Sequence, residues 1–236
     1  MSKDNIFANA IASAQQELVV EIARTPEQVL EAKKLRYRVY CEERGFEPGE
    51  GGIEQDEFDD NARHVLVRSR TTGEVFGTVR LVLGTEDADS KGLPMQRVCE
   101  DYVLAALPKI STAEISRFAL TRDRSGISPN AAAMMRLFLI QGVVQVSGEL
   151  GLTHWAAIME KTLLRLLRST SIYFLPVGPA VEYHGLRQPA IFPVTDGLER
   201  MRREQPQVWS FLTLNGTLWS TEMVEAGAHV DEALAA

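Results

Sequence analysis

The stretch TAEISRFALTRDRSGISPNAAAMMRLFLIQGVVQVSGELGLTHWAAIM, residues 112–159, contains a complete strand–helix–strand unit and decides the fold class. Its first ten residues alternate as a half-buried strand does. Gly126 marks a turn, and Ser128 followed by Pro129 is typical of a helix start. The helix that follows, to about residue 150, is apolar nearly all round, which indicates a buried helix. A second apolar strand, THWAAIM, comes after it.

The rest of the chain predicts further strands and helices around this unit. Thr25 as N-cap and Pro26 at the first helical position begin a helix that extends to about residue 43. HVLVRS and VFGTVRLVL, joined by the turn TTGE, predict an antiparallel hairpin. Further strands are predicted near 18–23, 173–177 and 190–195, and further helices near 93–107, 160–169 and 196–206. The order of elements predicts an α/β (α+β) protein with a mixed sheet.

The composition is that of an ordinary globular protein. The chain has 236 residues, of which 45% are hydrophobic and 24% charged, with a formal net charge of -7. We expect a single domain over 1–236, with a helical N-terminal extension over 1–17 and a C-terminal tail over 215–236. The net charge argues against nucleic acid as a partner, and no apolar run is long enough for a transmembrane segment. Two cysteines, Cys41 and Cys99, without a disulfide pattern predict a reducing, cytoplasmic location.

Charges of both signs are concentrated in LRYRVYCEERGFEPGEGGIEQDEFDDNARH, residues 35–64. Two arginines near the start of this stretch, Arg36 and Arg38, lie on the predicted helix. Its end carries a cluster of acids: Glu54, Asp56, Glu57, Asp59 and Asp60. A solvated loop explains such a composition, and so does a charged floor beneath a binding site.

Motifs for metal sites and for nucleophilic hydrolases are absent from the sequence. The acids of residues 54–60 lack the spacing of a calcium loop, and the chain has no H-E-x-x-H, C-x-x-C or G-x-S-x-G. The four histidines are scattered along the chain: His64, His154, His184 and His229. We therefore predict no metal site and no Ser-His-Asp triad.

Two features of residues 112–159 indicate chemistry. The turn before the helix presents N–H groups and the positive end of the helix dipole, which together suit a phosphate. An ordinary structural turn is the other explanation, because such turns recur in α/β proteins. Glu114 is a carboxylate in an apolar strand, where burial requires a partner. It predicts either a functional carboxylate or a structural ion pair, for instance with Arg80.

Four short blocks, in order, resemble a known group of acyltransferases. LRYRVYCEERGF, IEQDEFD, GTVRL and EISRFAL, spread over residues 35–120, resemble the successive motifs of the LuxI-like acyl-homoserine-lactone synthases. They are equally similar to the N-acyl amino acid synthases and to the acyltransferases associated with the PEP-CTERM/exosortase system. VEYHGLRQP, residues 181–189, is most similar to the exosortase-associated and N-acyl amino acid branch.

This resemblance implies a GNAT-like fold, with a mixed, splayed central sheet flanked by helices. The sheet would open between two parallel strands, TAEISRFALT and THWAAIM, with the apolar helix as their crossover. The resemblance also implies an enzyme. It would be an N-acyltransferase that moves a fatty acyl group from an acyl carrier protein thioester to the amine of an amino acid or similar acceptor. No cofactor would be bound, and acyl-CoA is the alternative donor.

The resemblance assigns site residues where the motifs match. It implies acceptor binding by residues of all four blocks: Arg36, Tyr40, Phe46, Asp56, Asp59, Arg80 and Phe118. It implies catalysis by Glu114, Ser116 and Arg117. An amine that attacks a thioester needs a proton acceptor and donors for the oxyanion. Glu114 is the expected proton acceptor, and backbone N–H groups near Ser116–Phe118 are the expected oxyanion donors.

Two departures from the family motifs bear on the substrates. Phe46 stands where the homoserine-lactone branch usually has tryptophan, which argues against lactone formation. Residues 122–128 lack the Q/R-x-x-G-x-G/A spacing of a coenzyme A loop, which favours acyl carrier protein as donor. Carrier protein is acidic, and one helix face with helical spacing predicts where it docks: Lys161, Arg165 and Arg168. A solvated helix face is the alternative.

The residues also admit two other functions. The first is an acyl-homoserine-lactone (autoinducer) synthase that uses S-adenosylmethionine and releases methylthioadenosine as a second product. The second is a non-enzymatic module that binds acyl groups or carrier protein and releases no free carrier thiol.

Overall fold

A computed structural model describes residues 3–46, 51–87, 90, 92–99, 105–183 and 185–221. The helices and strands follow in the order α1 (Lys3–Glu17), β1 (Leu18–Ile22), α2 (Pro26–Tyr37), β2 (Ala62–Ser69), β3 (Val75–Leu83), β4 (Thr112–Leu120), α3 (Pro129–Glu149), β5 (His154–Glu160), α4 (Lys161–Arg168), β6 (Leu175–Pro176), β7 (Val181–Glu182), β8 (Leu186–Pro193), α5 (Val194–Glu204) and α6 (Pro206–Thr213). A π-helical segment, Arg38–Glu43, continues α2. Short 3-10 helices cover Asp59–Asn61 and Pro94–Arg97.

The eight strands form one sheet in the order β1-β2-β3-β4-β5-β8-β6, with β7 paired to β8. β1 is antiparallel to β2, and β5 is antiparallel to β8 over its whole length. β4 and β5 are parallel, but they pair only over Thr112–Glu114 with His154–Ala156. The mixed sheet is therefore confirmed, and the short parallel pairing agrees with the expected splay.

Two helix starts form as their sequences predict. Thr25 caps α2 through a capping box, because its hydroxyl accepts the Gln28 N–H at 3.3 Å while the Gln28 side chain accepts the Thr25 N–H at 3.1 Å. Ser128 caps α3 by accepting the Ala131 N–H at 3.2 Å. Both contacts satisfy N–H groups that a helix end otherwise leaves without partners.

The described chain divides into two compact units. The first is drawn from Met1–Asp59, Arg63–Arg80 and Arg117–Val143, and the second from Asp60–Ala62, Leu81–Ser116 and Val144–Ala236. β3, β4 and α3 each contribute residues to both units. The predicted single domain stays a prediction.

In the first unit, α3 packs closely against β1 and β2. A Cβ added to Gly142 would lie 2.2 Å from a methyl group of Val65 and 2.9 Å from one of Val20. The absence of a side chain at Gly142 therefore allows this approach. The N-terminal extension is helical as predicted, and Arg70 anchors its end by donating to the carbonyls of Gln15 and Leu18.

In the second unit, Trp155 anchors the core. Its ring stacks on Phe192 with 4.8 Å between centroids, and its indole N–H donates to the hydroxyl of Ser147 at 2.7 Å. The carbonyl oxygen of Leu218 lies 2.0 Å from the position that a Cβ of Gly148 would take, so α3 and the segment after α6 also approach closely. The side chains of Trp155 and Phe192 are both buried.

Three predicted regions are only partly matched by the structure. The helix expected over 93–107 begins with a 3-10 helix at Pro94–Arg97, and residues 100–104 lie outside the described part. α6 was missed. The predicted tail from residue 215 includes Trp219, which is fully buried, while residues 222–236 also lie outside the described part.

Among the described helices, α3 alone is long and apolar enough to cross a membrane by composition. Its most apolar window has a mean hydropathy of 1.3, and 67% of that window is buried within the protein. Such burial is typical of the core helix of a globular protein.

Candidate active site

An ionic network in the first unit begins at Arg36, in the last turn of α2. Its guanidinium is fully buried and donates to both carboxylate oxygens of Asp59, at 2.6 and 2.9 Å. Its Nε donates to Glu54. One buried arginine therefore holds two carboxylates from the loop before β2, with the bidentate geometry that strengthens such pairs.

Two further arginines complete this network from neighbouring strands. Arg80 on β3 donates to both oxygens of Asp56, with Nη2 3.0 Å from Oδ2, and its Nη1 lies 3.1 Å from Asp59. Arg117 on β4 donates to Glu54 at 3.0 Å and to Asp56 at 2.9 Å. Three guanidinium groups and three carboxylates thus form one charge-balanced cluster.

Backbone contacts hold the acidic loop against the arginines. The Glu54 N–H donates to the carbonyl of Lys33 on α2 at 3.2 Å. The Asp56 N–H donates to Asp59 at 2.9 Å, and the Phe58 N–H donates to Asp56 at 3.0 Å. The loop is thus folded on itself through its own carboxylates, which is incompatible with a freely solvated segment.

Burial differs among the members of the network. The side chains of Arg36, Arg80 and Asp59 are at most 2% exposed, whereas Arg117 is 17% and Asp56 25% exposed. The accessible part of the network is therefore one arginine beside one aspartate, 2.9 Å apart.

The arginines keep the aspartates ionised. Burial acts to raise the pKa of Asp59, but its hydrogen bonds with Arg36 and the charges of Arg36 and Arg80 outweigh burial and hold that pKa well below its ordinary value. The pKa of Asp56 is lowered by the same balance, in which Arg80 and Arg117 outweigh burial. The pKa of Arg117 is raised despite burial by Glu54 and Asp56.

His64 on β2 lies behind this network and was not predicted as a site residue. It is 1% exposed, and its Nε2 lies 3.6 Å from Asp59 Oδ1. Within the described part of the chain neither ring nitrogen has a hydrogen-bond partner. Burial, together with the nearby charge of Arg36, lowers its pKa to about 4. His64 is therefore neutral at physiological pH, which preserves the charge balance of the network.

The two predicted aromatic residues near the loop differ in position. Tyr40, in the π-helical segment, has its ring 5.9 Å from the guanidinium of Arg117, and burial raises the pKa of its hydroxyl. Phe46 lies outside the network, is 41% exposed, and has the guanidinium of Arg44 5.7 Å from its ring. The structure thus brings Tyr40, but not Phe46, to the ionic network.

Glu114 lies in the second unit and is 2% exposed. Its carboxylate accepts the N–H of Met95 at 2.6 Å, which helps to satisfy a buried charge. Burial and the charge of Glu114 raise the pKa of the Cys99 thiol. Cys99 in turn lines a small depression with Val98, Val177, Gly178, Pro179 and Pro189. The predicted pairing of Glu114 with Arg80 stays a prediction.

Arg117 interrupts the regular backbone of β4. Its φ is +50°, in the left-handed region that non-glycine residues rarely adopt. The simple strand alternation expected through Ser116 and Arg117 is therefore wrong at this residue. Ser116 and Phe118, on either side of it, are half-buried. Strain of this kind persists only where the surroundings impose it, and here Glu54 and Asp56 hold the side chain.

The predicted docking residues all lie on the exposed surface of α4. Lys161, Arg165 and Arg168 are exposed, whereas Leu167 on the same helix is buried. The Arg168 guanidinium lies 5.8 Å from the ring of Tyr173. The cationic face exists as predicted, and its partner stays a prediction.

The turn before α3, predicted as a phosphate site or an ordinary turn, uses its N–H groups internally. The Ser128 N–H and hydroxyl donate to Glu17 at 2.7 and 2.6 Å. The Arg122 N–H donates to Glu43 at 3.2 and 3.3 Å, and the Ser125 N–H donates to Asp123 at 3.0 Å. Carboxylates of the chain itself therefore occupy these donors.

Sequence reasoning missed two members of the site. Glu54 belongs to the acidic run, but no motif distinguished it from Glu57 or Asp60. His64 was one of four scattered histidines, and its position in an apolar strand was the available signal. The described residues contain no group of three or more His, Cys, Asp and Glu that could hold a metal ion.

Comparison with known proteins shows that part of the sequence matches a domain family and that the fold is shared with solved structures. Residues 35–128 match the family model described as an acetyltransferase (GNAT) domain. A search of curated proteins finds no match.

Several solved structures share the fold. The chain is similar to the CoA-dependent acyl-homoserine lactone synthase BjaI, solved with SAM and isopentyl-CoA, at 22% identity and a TM-score of 0.60, covering 79% of this chain and 88% of that one. It is similar to the AHL synthase LasI at 19% identity and a TM-score of 0.56, covering 74% and 88%. It is also similar to FeeM, an N-acyl amino acid synthase from uncultured soil microbes, at 17% identity and a TM-score of 0.55, covering 77% and 93%.

These comparisons confirm the predicted resemblance and the GNAT-like fold. The match over residues 35–128 also confirms the expectation of an acyltransferase-type domain. That range contains the whole ionic network, from Arg36 to Arg117.

Proposed function

We propose that this protein is an N-acyltransferase that moves a fatty acyl group from an acyl carrier protein thioester to the amine of an amino acid or similar acceptor. The observation that carries the proposal is the buried, charge-balanced network, whose accessible members are Arg117 and Asp56. It lies wholly within the range that matches an acetyltransferase domain. We also propose a cytoplasmic location, in line with two free cysteines.

The accessible pair suits an acceptor that carries both charges. An amino acid has one carboxylate and one ammonium group, and Arg117 and Asp56 offer the opposite charges 2.9 Å apart. The inner members hold Asp56 in place, because Arg80 donates to its carboxylate and Asp59 accepts its N–H, while Arg36 in turn binds Asp59. We therefore assign acceptor binding to the outer pair and orientation to the inner residues. Tyr40 and Phe118 would line the acceptor site.

Glu114 is the proposed proton acceptor. The amine nitrogen attacks the thioester carbon, so that a C–N bond forms and the C–S bond breaks. Glu114 takes the proton from the amine, directly or through water, and that proton passes to the departing sulfur. Backbone N–H groups of Ser116–Phe118, beside the left-handed Arg117, would stabilise the oxyanion. No covalent intermediate on the enzyme is required.

The proposed donor is an acyl carrier protein. The exposed cations of α4 would meet its acidic surface, with complementary charges that speed association. The turn before α3 does not offer the N–H groups of Arg122 and Ser128 to a nucleotide pyrophosphate, because Glu43 and Glu17 accept them. Acyl-CoA is the alternative donor, since BjaI is described as CoA-dependent.

A second candidate is acyl-homoserine-lactone synthesis. It is favoured by the similarity to BjaI, whose structure contains SAM, and disfavoured by the exposed Phe46 outside the network. Under this alternative, S-adenosylmethionine would take the acceptor position.

Product analysis tests the proposal and separates the candidates. The purified protein is mixed with an acyl carrier protein thioester, a pool of amino acids and S-adenosylmethionine, and the products are identified by mass spectrometry. We expect an N-acyl amino acid without methylthioadenosine. Acyl-homoserine lactone together with methylthioadenosine would establish the second candidate, and intact thioester would leave only a binding module.

A further inference from the structure

The helix α2 continues as the π-helical segment Arg38–Glu43, which carries Tyr40. A π-helix bonds residue i to residue i+5 instead of i+4, so it displaces the side chains that follow around the helix axis. Such turns are rare and occur frequently at functional sites. The position of Tyr40 is therefore set by an irregular turn rather than by the regular repeat of α2.

The π-helical segment packs along the end of β4. Three contacts join the two: the Tyr40 ring with the guanidinium of Arg117 at 5.9 Å, Val39 with Ala119 in one buried cluster, and the Glu43 carboxylate with the hydroxyl of Thr121 at 3.2 Å. Arg117, Ala119 and Thr121 are alternate residues, as expected for side chains on one face of an extended chain. All of these residues belong to the first unit. The segment is thus anchored to β4 on both sides of Tyr40.

The guanidinium of Arg117 has one nitrogen that the protein leaves unused. Its Nε donates to Glu54 at 3.0 Å, and its Nη2 donates to Asp56 at 2.9 Å. The face of the Tyr40 ring attracts the same cation. Among the residues that the structure describes, no group accepts a hydrogen bond from Nη1. Arg117 is 17% exposed, so Nη1 is available to a ligand.

We propose that Tyr40 is a positioning residue, whose ring holds the guanidinium of Arg117 so that Nη1 faces the carboxylate of the amino acid acceptor. This inference rests on the proposed function, because it names how the acceptor carboxylate is recognised. Glu54 and Asp56 belong to a loop, whereas Tyr40 belongs to a helical segment that is packed against β4. The ring therefore adds a rigid support to the two acids. The role belongs to the ring and not to the hydroxyl, because a cation is attracted to an aromatic face.

Two simpler roles for Tyr40 make different predictions. One is that the side chain only fills space, and the other is that its hydroxyl binds the acceptor directly. Tyr40→Phe keeps the ring and loses the hydroxyl, whereas Tyr40→Leu keeps an apolar side chain and loses the ring. The acceptors to be tested are glycine, leucine and phenylalanine, each compared with its methyl ester. The ester keeps the amine but has no carboxylate for Arg117 to bind.

We expect Tyr40→Leu to raise KM for the free amino acids at least about tenfold, because an Arg117 without its aromatic support holds their carboxylate less well. The kcat, and the KM for the methyl esters, should change little. Tyr40→Phe should behave as the wild type does. Tyr37→Leu is the matched control, because Tyr37 is a half-buried tyrosine at the last position of α2, and it should also match the wild type.

Three results would overturn the positioning role. The first is an equal rise in KM for the free amino acids and their esters, which would indicate direct contact with the acceptor or general damage to the site. The second is a Tyr40→Phe variant as impaired as Tyr40→Leu, which would assign the role to the hydroxyl. The third is a wild-type KM in Tyr40→Leu.

A double-mutant cycle tests the support of Arg117 by Tyr40 without any turnover. Tyr40→Leu is introduced into the wild type and into Arg117→Gln, and the urea midpoint of unfolding is measured for every protein of the cycle. The shift caused by Tyr40→Leu should be smaller in the Arg117→Gln background, because the cation that the ring attracts is already absent. Equal shifts in the two backgrounds would overturn the proposal. A wild-type protein that acylates none of the acceptors would contradict the proposed function instead, and the cycle would still decide whether Tyr40 supports Arg117.

Discussion

Arg117 combines an unusual backbone conformation with a place in the ionic network. Its left-handed backbone interrupts the regular course of β4, and its guanidinium binds the acids Glu54 and Asp56. Such backbone strain is concentrated at functional sites. The arrangement supports roles for Arg117 in acceptor binding and for the adjacent N–H groups in oxyanion binding.

The residue types of the site could be predicted from sequence, but their pairing could not. The motif blocks indicated Arg36, Asp56, Asp59, Arg80 and Arg117, and the structure brings all five together. Glu54 escaped prediction because its choice over neighbouring acids depends on how the loop folds back onto α2. His64 escaped because burial of a histidine in a strand does not show which charges lie beside it.

Replacement of Glu114 by glutamine tests the proposed proton acceptor. Glutamine keeps the size and can still accept the Met95 N–H, but it is not a base. Single-turnover amide formation should fall roughly 10²–10⁴-fold, because that is the usual contribution of general base catalysis. Affinity for carrier protein should be unchanged.

The same preparations are compared by thermal unfolding. A purely structural Glu114 predicts a lower melting temperature with near-normal turnover for each folded molecule. That outcome would remove Glu114 from the chemistry.

His64 makes a prediction about stability and pH. Its pKa is lowered from 6.5 to about 4 in the folded protein, so the unfolded chain binds more protons between these values. Stability therefore falls as the pH drops through this window, by about 2 kcal/mol between pH 7 and pH 5. His64→Leu removes this contribution, and urea unfolding at both pH values measures it.

The unfolding measurements stay at pH 5 and above so that the two aspartates of the network do not contribute to the change. Asp56 and Asp59 also have lowered pKa values, and their contribution to stability is lost only as the pH falls below the ordinary aspartate value of 3.8. If the His64→Leu variant loses as much stability between pH 7 and pH 5 as the wild type does, His64 is not the source of the pH dependence.

Among the secondary-structure elements, α3 shows what a sequence can and cannot reveal. Its helical start at Ser128 and its apolar character were predicted, because capping residues and apolar content are local signals. The contact of Gly142 with β1 and β2 could not be predicted, because it depends on strands that are distant in sequence. The helix expected over 93–107 is observed only as the 3-10 helix Pro94–Arg97, because residues 100–104 lie outside the described part of the chain.

Gly142→Ala tests this helix–sheet contact. Alanine favours a helix over glycine by about 1 kcal/mol, which alone would stabilise the protein. The added methyl group would instead clash with Val65 and Val20, and overpacking of this kind costs about 1–3 kcal/mol. We expect a net loss of stability in urea unfolding. Asn130→Ala, at an exposed position of the same helix, is the control and should change stability little. A more stable Gly142→Ala protein would show that the contact is looser than the structure indicates.

For the protein as a whole, the distribution of charge matters more than its sum. The net charge is -7, yet α4 presents three exposed cations. If they dock an acidic carrier protein, changing Lys161, Arg165 and Arg168 to glutamate should weaken binding at least about tenfold, and wild-type binding should weaken with salt. A control with Arg24, Lys34 and Arg203 changed to glutamate has the same net charge. Equal affinities of the two variants for carrier protein would place docking elsewhere.

The central claim is that the protein joins an amine to an acyl group taken from a carrier thioester. The most direct measurement follows two products in one reaction of the purified protein, acyl carrier protein thioester and an amino acid pool: free carrier thiol and N-acyl amino acid. We predict that they appear together in equal amounts and that both depend on the amino acid. Thiol release without amide would indicate hydrolysis, and no release of thiol would contradict the proposed enzyme altogether.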